Sequence, residues 1–150
     1  MFGAISGKIA GFATAAILAL ALAAAPAAAD MQIPPKGSPL RATVLDTVRP
    51  MVEAEVGKPV EFVVTTIRVL GEWAFVIAEP QRPGGGRIAY AYTRYQTAVD
   101  EGAFDNQVVA LLRNTPGGWL VYGYSLGATD VPWEEWRQAY PVPPELFQGP

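Results

Sequence analysis

A chain of 150 residues with no histidine and no cysteine cannot build from its own side chains a Ser-His-acid triad, a thiol nucleophile, a thiolate or imidazole zinc site, or a histidine-ligated haem. Eleven Lys and Arg against fourteen Asp and Glu give a net charge of −3, which argues against nucleic acid or an anionic membrane surface as partner. A domain of this length buries about two-thirds of the surface its unfolded chain exposes, so its stability does not need disulfides.

The first residues carry one charged side chain, Lys8, and an uncharged run follows from Phe12 to Ala25. Pro26 interrupts that run, and Ala27 and Ala29 supply small side chains at the two positions a signal peptidase reads. The expectation is a signal peptide over 1–29, cut after Ala29. A membrane span needs about 20 apolar residues, more than this alanine-rich run offers. The remainder is then expected to be periplasmic or secreted, with no membrane attachment after cleavage and one unit more acidic for the loss of Lys8.

From Asp30 to Ser38 the chain is proline-rich and aperiodic, which predicts a flexible lead-in. Ser38 and Pro39 give an N-cap and a first-turn proline, and Leu40, Val44, Leu45, Val48, Val52 and Val56 form one helical stripe. Gly57 and Pro59 end it. Pro50 removes a hydrogen bond inside the pattern, so a kink near Arg49, or two short helices meeting there, is expected. Val60 to Leu70 and Trp73 to Ala78 are dense in β-formers around Gly71-Glu72, a hairpin signal. Pro80 to Arg87 is a loop, Ile88 to Tyr92 a candidate extended segment, and Thr93 to Gly102 a weak helical pattern. Val108 to Arg113 and Trp119 to Leu126 flank Thr115-Pro116-Gly117-Gly118 as a second hairpin. Thr129 or Asp130 is expected to cap a last short helix, with Glu134 and Glu135 in its first turn, and Pro141, Pro143 and Pro144 stop it.

These elements predict a single α+β domain over 39–147, followed by a tail at 148–150. In it the N-terminal helix packs on a curved antiparallel sheet of about four to five strands. The element order, with Trp73 and Trp119 each entering one strand of a hairpin, resembles the cystatin-like and NTF2-like rolls, folds that host many unrelated functions. The runs Val60-Glu61-Phe62-Val63-Val64, Trp73-Ala74-Phe75-Val76, Pro80-Gln81-Arg82-Pro83-Gly84-Gly85 and Gly127-Ala128-Thr129-Asp130-Val131-Pro132-Trp133 also resemble an uncharacterised family of exported bacterial proteins. That resemblance implies no activity.

Carboxylates remain as general acids or bases. Glu53, Glu55, Asp100, Glu101 and Asp105 are expected on solvated surface. Asp130, Glu134 and Glu135 interleave with Trp133 and Trp136, and an apolar wall raises a carboxylate pKa, which makes Asp130 and Glu134 the candidate catalytic acids beside a helix-capping role for Asp130. Gly84-Gly85-Gly86 lies between Arg82 and Arg87, where backbone N–H groups and two guanidinium groups can converge on an anion. Apart from Phe2 and Phe12, every aromatic residue lies between Phe62 and Phe147. Tyr90 and Tyr92, like Tyr122 and Tyr124, are two apart and are expected on one face of a strand. An open face would stack on sugar or peptide, and a closed one would fill the core.

The candidate ligand-binding residues are therefore Tyr90, Tyr92, Arg82, Arg87 and Trp133, with no metal or cofactor. The expected function is a non-enzymatic exported binding module for a peptide, a glycan or an envelope protein. The runner-up is an NTF2-like enzyme working through an acid. A third reading is cysteine-protease inhibition, because Gln107-Val108-Val109-Ala110 and Pro132-Trp133 resemble the cystatin inhibitory loops, although Leu111 replaces that motif's glycine.

Overall fold

The computed structural model describes Gly3 and residues 29–148, so the expected signal peptide lies, apart from Gly3 and Ala29, outside the described residues. Helix α1 spans Pro39–Val56, and the Ser38 side chain accepts the Arg41 N–H at 3.3 Å as its N-cap. Val44, Val48, Val52 and Val56 are buried along its inner stripe. Gly57 closes it at φ +81°, a conformation that costs glycine little, and donates to the Glu53 carbonyl at 2.9 Å. The helix runs uninterrupted through Pro50. That ring faces solvent, where water can serve the carbonyl it leaves unpaired.

Four strands follow, β1 (Glu61–Leu70), β2 (Trp73–Gln81), β3 (Val108–Thr115) and β4 (Gly118–Leu126). They form one antiparallel sheet in the order β1-β2-β3-β4. The protein is thus α+β, one helix packed on a four-stranded antiparallel sheet. Ile88–Tyr92 is not a fifth strand. The chain before it folds back on itself, Arg82 N–H donating to the Gly86 carbonyl at 2.7 Å, and β2 already has β1 and β3 as neighbours. The segment therefore has no adjacent edge to join. It leads instead to a short helix, α2 (Gln96–Asp100).

Helix α3 (Trp133–Ala139) starts after Pro132 with no side-chain cap, so neither Thr129 nor Asp130 caps it, while Glu134 and Glu135 do occupy its first turn. A single 3-10 turn, Pro144–Leu146, ends the described chain's regular structure.

The sheet is covered on both sides. Ala74, Val76 and Ala78 of β2 and Val108, Ala110 and Leu112 of β3 pack towards α1. Trp73 and Phe75 of β2 and Val109 and Leu111 of β3 point the other way, against Val142, Leu146 and the partly buried Trp133, Trp136, Tyr140 and Phe147. Burial on two faces explains why both central strands read as continuous apolar runs rather than as alternations.

Each edge strand carries a register shift, at Val64/Thr66 in β1 and opposite Leu111/Leu112 in β4. In β4 the extra residue is Tyr122, since Gly123 pairs with Leu111 and Val121 with Leu112. An inserted residue reverses the alternation. Tyr122 accordingly joins the C-terminal side and Tyr124 the α1 side, and the expectation of a shared face fails there.

The lead-in is tied to the domain at several points: Gln32 and Val69 exchange two backbone hydrogen bonds of 2.8 Å, the Arg41 guanidinium donates to the Pro34 carbonyl at 3.2 Å, and Met31 packs against the core on the C-terminal side. Among the described residues no helix is long and apolar enough to cross a membrane.

Candidate functional site

Between the glycine turn and β3 the chain sets an aromatic and charged group against the last turn of α1. Thr93 fixes the local turn, its hydroxyl donating to the Tyr90 carbonyl at 2.6 Å and accepting the Tyr95 N–H at 3.2 Å. Tyr95 enters the core, edge-on to Tyr90 at 6.1 Å and tilted on Phe104 at 5.4 Å between centroids. Its hydroxyl donates to the Glu55 carboxylate. Arg94 pairs with the same carboxylate at 2.8 Å, donates to the Tyr95 hydroxyl at 2.7 Å and lies 4.8 Å from the Tyr95 ring centre.

Tyr124 reaches this group from β4, with its hydroxyl buried and without a hydrogen-bond partner among the described residues. Glu55, expected on solvated surface, has a side chain only 19% exposed and is the centre of the cluster. Burial, reinforced by the hydrogen bond to Glu55, pushes the Tyr95 phenol up to about 12. Burial and the neighbouring Tyr95 push Tyr90 up to about 12. Burial and then Glu55 also raise Tyr124 well above the ordinary phenol. All three are neutral at pH 7.

Tyr92 stands at the rim of this cluster. It is 100% exposed and sits at φ +64°, the left-handed region that a bulky residue rarely adopts. The Gln96 side chain holds the turn by accepting the Tyr92 N–H at 2.9 Å. Tyr92, Thr93, Arg94 and Glu55 line a shallow depression of about 540 Å³. A cleft of about 600 Å³ opens elsewhere, between the β1-β2 turn and the C-terminal prolines, with Met31, Leu70 and Trp73 in its wall. Of the acids on that cleft, Glu72 is already paired with Arg113 at 2.9 Å.

The residues singled out from sequence do not form one site. Tyr90 and Tyr92 do not share a strand face: Tyr90 is half-buried, its ring 4.5 Å from Phe104 and its hydroxyl donating to Asn106, while Tyr92 points to solvent. Arg82 is turned away from the glycines and onto the end of α1. There it donates to the carbonyls of Val56 at 2.6 Å, Gly57 at 2.6 Å and Pro59 at 3.0 Å. Arg87 is exposed beside the turn, so the two guanidinium groups do not converge. Trp133 packs edge-on against Phe75 at 5.5 Å. Asp130 is exposed, and Glu134 is exposed and paired with Arg137 at 3.1 Å. Val108, Val109 and Ala110 are buried in a central strand.

Sequence reasoning missed the Glu55-Arg94-Tyr95 cluster. The one local hint was the position of Glu55 next to the buried stripe residue Val56. Among the described residues no three His, Cys, Asp or Glu side chains gather as a metal site. No protein-family model, curated protein or solved structure matches the chain.

Proposed function

We propose that the protein is a non-enzymatic exported binding module, periplasmic or secreted, that holds a peptide, a glycan or an envelope protein against Tyr92 and the polar group beside it. One observation carries this reading: a wholly exposed tyrosine held at φ +64°. A non-glycine residue in that region costs on the order of 1 kcal/mol, and strain of this kind persists where it serves a site. Here no packing of the ring offsets the cost, so presenting the ring is the physical return. A flat apolar face with a polar tip suits sugar or peptide, and Arg94 and Glu55 add a donor and an acceptor within the same depression.

The helix-first meander further supports a cystatin-like or NTF2-like roll, with α1 lying across one face of the sheet. An NTF2-like enzyme using Asp130 or Glu134 draws no support from their solvent-facing positions. A cystatin-like inhibitory loop draws none from a run buried within β3.

The test is to purify the protein from extract, identify retained small molecules and peptides by mass spectrometry, and titrate them back. Tyr92→Ala is expected to lose the retained ligand. Retention at the wild-type level by that variant overturns the assignment.

A further inference from the structure

The outer edge of β1 is uncovered over its first half, and its own geometry shows which backbone groups it offers. Val69 gives both its N–H and its C=O to Gln32, so the lead-in occupies the edge at that end. The lead-in cannot continue the ladder, because Pro34 and Pro35 have no N–H to donate. Further along, Phe62 pairs with Pro80. Proline has no N–H either, and the Pro80 carbonyl accepts the Asn106 side chain at 3.3 Å. Phe62 and Pro80 are therefore a non-hydrogen-bonded pair, and the Phe62 N–H and C=O point away from β2. Alternation puts those of Val64 on the same side. Among the described residues neither has a backbone partner there.

A groove of about 530 Å³ runs beside this stretch, lined by Lys36, Arg41, Leu45 and Arg49 on one wall and by Glu61 to Val64 on the other. Its charge is opposite to that of the chain, three cations facing one carboxylate in a protein of net charge −3. Arg49 is held by Asp46 at 3.0 Å, whereas Lys36 and Arg41 have no carboxylate partner among the described residues. Val63, on the face away from α1, is 49% exposed.

We infer that this groove takes an extended acidic peptide, which adds a short strand to β1 at Phe62 and Val64 and places its carboxylates against Lys36 and Arg41. Main-chain hydrogen bonds then supply affinity, and the cations supply selectivity. The site shares no residue with the Tyr92 depression and does not rest on it.

The full chain is titrated with a fluorescein-labelled peptide alternating glutamate and valine. The expected result is binding with new hydrogen-exchange protection at the Phe62 and Val64 amides. The double variant Lys36→Glu with Arg41→Glu is expected to weaken it by about tenfold, and Tyr92→Ala to leave it unchanged. Val64→Pro removes an outward N–H without cutting the β1-β2 ladder and is expected to weaken it similarly; should that variant misfold, the exchange measurement on the wild type decides alone. No binding, equal binding of the lysine-for-glutamate peptide, or equal binding of a peptide N-methylated at every backbone nitrogen overturns the proposal. Protection at Phe62 and Val64 that rises with protein concentration in the absence of peptide also overturns it, because the edge then pairs with a second copy of the chain.

Discussion

The indole of Trp136 lies directly on Gly123: a Cβ placed on that glycine would stand 2.5 Å from two ring carbons. No side chain fits there, so the contact fixes α3 on the sheet at the point where the β4 bulge turns Tyr122 towards it. Gly123→Ala is expected to destabilise by about 2 kcal/mol, the usual cost of overpacking a filled interface. In urea denaturation the further change Trp136→Ala should recover part of that loss. A double-mutant coupling energy below about 0.5 kcal/mol contradicts the contact.

Arg82 closes α1 from a position 25 or 26 residues further along the chain. A guanidinium is well placed at a helix C-terminus, where free carbonyls and the dipole both favour a cation. Arg82→Ala should cost about 2 kcal/mol, and Arg82→Lys, which keeps the charge but not the planar fork, should recover part of it. Chemical denaturation with far-UV circular dichroism reads both; an Arg82→Ala midpoint equal to wild type removes the capping role.

Tyr92 makes a prediction in which stability and binding move apart. Glycine adopts φ +64° freely, and the exposed ring loses no packing when removed. Tyr92→Gly should therefore be as stable as wild type or more so, by up to about 1 kcal/mol, while it loses ligand. A clear loss of stability shows that the ring is not idle in the unliganded fold.

The buried phenols set an alkaline limit. Tyr90 and Tyr95 hold their protons to about 12 in the folded state, whereas the unfolded phenols ionise near 10. Between those values the folded state binds more protons than the unfolded state, so stability is fully present below about pH 10 and falls as pH rises towards 12. Thermal melts from about pH 8 upward should show that decline. Tyr90→Phe with Tyr95→Phe should make it shallower, leaving the share that comes from Tyr124, whose phenol is also raised, and an undiminished slope in that variant assigns the decline to other groups.

The helix and both hairpins were legible because their determinants are local: Ser38 and Pro39 at one end of α1, Gly57 at the other, and two-residue turns between β-rich runs. The two bulges were not, since an inserted residue leaves the apolar pattern of β4 unchanged while it sends Tyr122 and Tyr124 to opposite sides. Composition located the aromatic cluster but not its division between two cores, which depends on the C-terminal segment returning across the sheet. Arg82 read as a partner of the adjacent glycines, because nothing near it in sequence reveals the helix end it serves. Glu55 was legible as an acid beside the stripe; the tyrosine that makes it a centre comes from 40 residues away.

Coverage of one face of the sheet by residues that follow β4 gives synthesis an order. Until Trp133 to Phe147 emerge, Trp73, Phe75, Val109 and Leu111 have no cover, and a truncated or stalled chain displays that greasy plane to its neighbours. A polypeptide delivered in this direction gains that cover only after all four strands are made, so loss of Trp133 to Phe147 should be felt first as aggregation rather than as a weaker ligand contact.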